Sequence, residues 1–163
     1  DSFPEGIFVG DSTQPIYAGN LYNKVRKAGH WFNSATGYGT LGYAIPSALG
    51  AKLASPTSPV ICIIGDGGFQ FTSSELMTAS DENIPVIFIV WNNTGYKEIK
   101  DSMIIERISP VGVTPKAPDF KLQAQSYDLS YYLVENRYNL IKIVNTALER
   151  NMPAIIEICE TTY

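Results

Sequence analysis

The amino-acid sequence predicts an α/β fold, a three-layer doubly wound domain on a mostly parallel sheet of about six strands. Three observations carry that expectation. Short β-rich runs alternate with helix-like segments from one end of the chain to the other, as βαβ units require. Two of the runs, 60–64 and 86–91, are continuously apolar, as strands covered on both faces are. Both stop abruptly in polar, glycine-containing turns, 65–68 and 92–95, and sheets of this kind bind ligands beyond the carboxyl ends of their strands.

Taken in order, Ile7, Phe8 and Val9 make a short first strand that runs into a polar turn at 10–14, and Trp31-Phe32 makes a second. Residues 41–54 read as a helix packed closely on a neighbour, because Gly42, Ala44, Ser47, Ala48, Gly50 and Ala51 are small and Pro46 suits a first turn. Pro56 and Pro59 bracket the turn into strand 60–64. Thr72, Ser73, Ser74 and Glu75 have capping-box spacing ahead of Leu76, which starts another helix. Strand 86–91 follows Pro85 and ends at Asn92-Asn93. Residues 95–106 read as helix, and 108–118, with Pro110, Pro115 and Pro118, as a mobile loop. A helix at 119–127, a strand at 131–134, an amphipathic helix at 139–150 and a last strand at 154–158 complete the pattern. With no repeat, low-complexity tract or linker, residues 1–163 form one domain.

A chain of 163 residues with 45% hydrophobic and 17% charged side chains can bury one sizeable core. The net charge is −4 and the twelve Lys and Arg residues are scattered, which argues against a nucleic-acid partner. No apolar run approaches a membrane span, and the first residues lack the regions of a signal peptide. Cys62 and Cys159 each fall inside an apolar run and read as reduced core thiols, which suits a cytoplasmic location. There is no initiator Met, so a fragment of a longer multi-domain enzyme is expected.

Gly65-Asp66-Gly67-Gly68 after a buried strand lets backbone N–H groups approach a phosphate. A dinucleotide fingerprint would need a further glycine where this chain has Gln70. A carboxylate beside a diphosphate is repulsive unless a cation lies between them, so Asp66 itself implies a metal. Mg²⁺ asks for six oxygens, usually from few protein ligands plus phosphates and water. Asp66 supplies one. If the two apolar strands are parallel neighbours, Asn93 adds its amide oxygen and Gly95 a backbone carbonyl, leaving room for two diphosphate oxygens and a water.

Gly65-Asp66-Gly67 followed by Asn92-Asn93 and Gly95-Tyr96 resembles the motif of thiamine diphosphate (ThDP) enzymes of the acetolactate synthase and 2-oxo acid decarboxylase family. The resemblance spans nearly the whole chain and includes 37–42, 65–69, Glu75-Leu76 and 85–96. Residues 31–34 and 91–96 look most like enzymes that decarboxylate 5-guanidino-2-oxopentanoate. The resemblance implies a carboxyl-terminal diphosphate-binding domain that holds ThDP through Mg²⁺, with Asp66, Asn93 and the Gly95 carbonyl as metal ligands. It places Gly65, Gly67, Gly68 and Tyr96 in the cofactor motif and makes Thr13 and Gln14 phosphate contacts. The Gly39 carbonyl would accept from the cofactor's amino group, and Leu41 would wedge between its rings. It implies a 2-oxo acid substrate, a homo-oligomer, and a separate pyrimidine-binding domain, on the same or a partner subunit, that supplies an activating Glu. The isolated domain is then inactive.

Plainer readings stand beside these. Gly39 and Gly42 also suit a tight turn, Tyr96 packing, His30 a loop, and Tyr131 and Tyr132 core or interface positions. Glu75 reads as a cap before it reads as an active-site neighbour. Glu98 lies five residues beyond Asn93, where related decarboxylases often carry an apolar pocket residue. It faces either a guanidinium tail or, as a solvated helix carboxylate, Lys97 or Lys100. Ile99 stands where the pyruvate-decarboxylase pattern has a catalytic Glu, which implies another substrate or another proton donor. The rival to an enzyme domain is a non-catalytic cofactor- or nucleotide-binding module that acts only with a partner chain.

Overall fold

Six apolar runs become six strands, and every ladder among them is parallel: β1 (Ile7–Gly10), β2 (Trp31–Asn33), β3 (Val60–Gly65), β4 (Val86–Asn92), β5 (Ser130–Val134) and β6 (Ala154–Cys159). The computed structural model describes residues 3–162. The strand order is β2-β1-β3-β4-β6-β5, so the chain leaves β1 toward one edge and returns to build the other. This reversal beside β1 opens a crevice at the carboxyl ends of the strands.

The helices are α1 (Gln14–Tyr22), α2 (Ala44–Ala54), α3 (Asp66–Thr72), α4 (Glu75–Asp81), α5 (Lys97–Ile105), α6 (Phe120–Ser126) and α7 (Leu140–Glu149). Alternation along the strands splits the core in two. Val60, Cys62 and Ile64 of β3 join Val86, Phe88 and Val90 of β4 on one face, against Ala48 and Leu49 of α2, Leu76 and Ala79 of α4, and Phe120 and Ala124 of α6. Ile61, Ile87 and Ile156 point the other way, against Val144 and Ala147 of α7. Both faces are thereby covered, which is why these strands read as unbroken apolar runs. Among the described residues no helix is long and apolar enough to cross a membrane. Cys62 is buried in β3, and Cys159 ends β6 on the far side of β4.

Three local expectations need correction, and one helix, α1, falls where the sequence reading assigned no element beyond the turn at 10–14. Only Ile16 of it is buried, so no apolar stripe announces it, although Pro15 in its first turn is a start signal. Helix α2 begins at Ala44, three residues later than the sequence suggested, because the Asp11 carboxylate takes the N–H groups of Gly42, Tyr43 and Ala44 before the helix starts. The expected turn at 65–68 is the strand end followed by the first residues of α3. The capping box does not form: Ser74 is helical and caps nothing, the Thr72 hydroxyl donates to the Gly42 carbonyl at 2.9 Å, and Glu75 accepts from Thr78. The proline-rich segment 108–118 is irregular as expected, and it is anchored by buried Val113, whose carbonyl accepts from the Tyr96 N–H at 3.0 Å.

Candidate functional site

A cleft of about 330 Å³ lies at the carboxyl ends of β1, β3 and β4. Its position follows from register: Gly65 pairs with Trp91, so the chain leaving β3 at Asp66 and the chain leaving β4 at Asn93 emerge side by side. Of the residues singled out in the sequence, Thr13, Gln14, Gly39, Leu41, Gly65, Gly67, Gly68, Asn93, Gly95, Tyr96 and Glu98 all line the cleft. Asp66 is fully buried beneath it.

Three oxygens converge in the floor. The Asn93 side-chain oxygen is 3.0 Å from the Gly95 carbonyl oxygen and 3.2 Å from Asp66 Oδ1, with no donor hydrogen between them. Oxygens crowded this closely repel unless a proton or a cation joins them. Turning the Asn93 amide over would point its NH₂ at both, but would set its oxygen 3.2 Å from Gln14 Oε1. That Gln14 oxygen already accepts from the Trp91 indole at 3.2 Å and, as the amide stands, from Asn93 Nδ2 at 3.2 Å. The indole thus fixes which end of Gln14 faces Asn93, and Gln14 fixes which end of Asn93 faces the floor. Ligands at about 2.1 Å in an octahedron stand about 3.0 Å apart along an edge, close to the spacing of the Asn93 oxygen from each of the other two. The donor set of one carboxylate, one amide and one backbone carbonyl fits a hard cation. Among the described residues no cluster of three or more His, Cys, Asp or Glu offers an alternative metal site.

The surroundings hold Asp66 in place. Its Oδ2 accepts from the Gly95 N–H at 2.8 Å. Burial pushes the Asp66 carboxyl up from its ordinary value, and N–H groups of Asn93, Gly95 and Gly67 pull it back. Gly95 has φ +136, and a Cβ there would lie 2.6 Å from the Val113 carbonyl oxygen, so the loop that presents its carbonyl can be built only with glycine. A Cβ on Gly67 would lie 2.4 Å from the Tyr96 ring, so Tyr96 packs flush on the start of α3, the packing role expected for it.

Asp11 was not anticipated. Fully buried, it accepts from Gly42 N at 2.8 Å, Tyr43 N at 3.0 Å and Ala44 N at 3.2 Å, and so ties the end of β1 to the segment carrying Gly39 and Leu41. Burial pushes its carboxyl up while those three N–H groups lower it. An acidic residue directly after a short apolar strand was the available signal. Ser12, Tyr17, Ala35, Lys97 and Ile99 also line the cleft and were not predicted as site residues. The Ser12 hydroxyl lies 3.2 Å from that of Ser34, and burial raises the Tyr17 phenol, with the negative charge of Glu98 adding to the rise. Tyr17 and Glu98 both line the cleft. The alternative pairing of Glu98 with Lys97 does not occur, because Lys97 bonds both carboxylate oxygens of Glu160, at 2.7 and 2.8 Å.

Comparison with known proteins agrees with this geometry. A family model described as the thiamine pyrophosphate enzyme C-terminal TPP-binding domain matches residues 11–158. A probable 2-ketoarginine decarboxylase of Pseudomonas aeruginosa is 44% identical over 128 residues, 77% of this chain and 23% of that protein. The acetolactate synthase large subunit of Pyropia yezoensis is 35% identical over 139 residues, 83% of this chain and 23% of that protein. Among solved structures, the thiamine diphosphate-dependent 4-hydroxybenzoylformate decarboxylase of Rhodococcus jostii RHA1 superposes with a TM-score of 0.85 at 29% identity, covering 95% of this chain and 29% of that one. The chain spans about a quarter of the length of the curated relatives it matches.

Proposed function

This chain belongs to the thiamine pyrophosphate enzymes, as their C-terminal TPP-binding domain, and from that membership we propose that its cleft holds ThDP through Mg²⁺ within a 2-oxo acid decarboxylase. The observation that carries the proposal is the convergence of Asp66 Oδ1, the Asn93 amide oxygen and the Gly95 carbonyl at octahedral-edge spacing. These three would hold the metal. Gly65, Gly67, Gly68 and Thr13 line the same cleft and would hold the diphosphate. ThDP, when bound, supplies the electron sink on which a 2-oxo acid loses carbon dioxide.

The chain's own residues bind, orient and exclude water. Gly39 would offer its carbonyl to the aminopyrimidine end of the cofactor, and Leu41 would supply an apolar surface against it and keep that wall dry. Asp11 holds both in position through the Gly42–Ala44 backbone. The remaining wall, with the Glu that activates the ring, comes from a pyrimidine-binding domain of the same or a partner subunit in a homo-oligomer. Calorimetric titration of the intact protein with ThDP tests the assignment. Binding is expected with Mg²⁺ and not in its absence; equal affinity in a chelating buffer would overturn it.

The substrate assigned is a 2-oxo acid with a guanidinium tail. Glu98 lines the cleft, as Tyr17 does, and among the described residues it takes part in no ion pair. A relative 44% identical to this chain carries 2-ketoarginine in its name. A carboxylate at the cleft mouth bonds a guanidinium with charge assistance, and its exposure limits the gain to about tenfold in affinity. Glu98→Gln in the intact enzyme is therefore expected to raise KM for a guanidino 2-oxo acid about tenfold and to leave KM for pyruvate unchanged. Equal effects on cationic and neutral substrates would remove Glu98 from substrate selection.

A further inference from the structure

Strand β6 is apolar at Ala154, Ile155, Ile156 and Ile158 but carries a carboxylate at Glu157, half-buried between β4 and β5. The side chain is strapped on both oxygens. Oε1 accepts from Asn92 Nδ2 at 2.7 Å and Oε2 from the Tyr131 hydroxyl at 2.6 Å, with the Cys159 thiol at 3.6 Å from Oε1. A cross-strand polar pair would account for the Tyr131 bond alone.

The other end of Asn92 carries the argument further. Its Oδ1 accepts from the Thr94 N–H at 3.2 Å, and Thr94 has φ +61, a left-handed backbone that needs such support. Thr94 is the residue that turns the chain so that Gly95 can aim its carbonyl at Asp66 and Asn93. A carboxylate accepts only, so Glu157 dictates that Asn92 presents its NH₂ to β6 and its oxygen to the loop. With that orientation reversed, two oxygens would meet at Glu157 and two donors at Thr94.

We propose that Glu157 is a positioning residue for the metal-binding loop, acting through the Asn92 side chain on Thr94 and the Gly95 carbonyl. The inference rests on Asp66, Asn93 and Gly95 forming the cation site. Glutamine at 157 keeps the shape and one acceptor: its oxygen can still take the Asn92 NH₂ while its own NH₂ donates to the Tyr131 hydroxyl oxygen, whereas methionine removes both acceptors and leaves the Asn92 NH₂ unpartnered.

The test uses the intact protein and two readouts. In metal-free protein, hydrogen exchange at 93–96 is expected to quicken at least tenfold in Glu157→Met, which removes both acceptors, while exchange in β3 stays unchanged and Glu157→Gln, which keeps an acceptor for Asn92, stays near wild type. In Mg²⁺ titrations at fixed ThDP, half-saturation is expected to rise about tenfold in Glu157→Met and in Asn92→Ala, and no further in the double variant, since both act through one bond. Additive effects in the double variant, or wild-type exchange and Mg²⁺ affinity in Glu157→Met, would overturn the role of Glu157 while leaving the metal site standing. A wild-type protein that binds ThDP without Mg²⁺ would instead remove the metal site on which the inference rests.

Discussion

Asp66→Asn is expected to abolish Mg²⁺-dependent ThDP binding without destabilising the cofactor-free protein. Asp66 is the only charged group among the three converging oxygens, so its loss removes the main attraction for a divalent ion, and affinity should fall at least about 100-fold. Stability follows a different course. Without metal, the carboxylate faces the Asn93 and Gly95 oxygens, and burial already pushes it above its ordinary value. An amide there keeps an oxygen for the Gly95 N–H and turns an NH₂ toward Asn93, which satisfies the floor with no ion present. The melting temperature of the metal-free variant should equal or exceed that of the wild type. Asn93→Ala loses a neutral ligand and should follow closely in metal affinity. Undiminished ThDP binding in both variants would remove Asp66 and Asn93 from the site.

Gly95→Ala is expected to damage both fold and function. A φ of +136 is poorly tolerated by any residue with a Cβ, and the added carbon would lie 2.6 Å from the Val113 carbonyl oxygen, backbone that must shift. Such strain costs about 1–3 kcal/mol, and at roughly 2–4 °C per kcal/mol for a protein of this size the melting temperature should fall several degrees. Because Val113 also accepts from the Tyr96 N–H, its displacement loosens the same loop from the far side and turns the Gly95 carbonyl away from Asp66. Mg²⁺ half-saturation should rise at least tenfold. Thermal melts and Mg²⁺ titrations of the variant check both effects, and wild-type values in each would show that the loop tolerates a side chain.

Much of the architecture was legible because burial on both faces leaves a plain mark. The runs in β3, β4 and β6 could hardly be anything but central strands, and the polar turns after β3 and β4 pointed to the sheet end where the cleft lies. Asp66, Asn93 and Gly95, which stand together in the cleft floor, were legible as candidates too, since a lone Asp among glycines suggested a cation. What escaped detection depends on contacts made far along the chain. Helix α1 rests on one buried side chain, Ile16, too few for a periodicity. The start of α2 is set by Asp11, more than thirty residues earlier. Thr72 satisfies the spacing of a capping box, yet tertiary packing offers its hydroxyl the Gly42 carbonyl instead. Gln14 and Glu157 act by fixing the orientation of asparagine amides, which only spatial neighbours reveal.

The most direct measurement is the anomalous diffraction of crystals of the intact enzyme grown with ThDP and Mn²⁺ in place of Mg²⁺. The expected result is a single strong peak in the cleft, within bonding distance of Asp66 Oδ1, the Asn93 amide oxygen and the Gly95 carbonyl, and shared with the cofactor's diphosphate. An ordered cofactor in the cleft with no peak among those three oxygens, or a peak held by other side chains, would contradict the account.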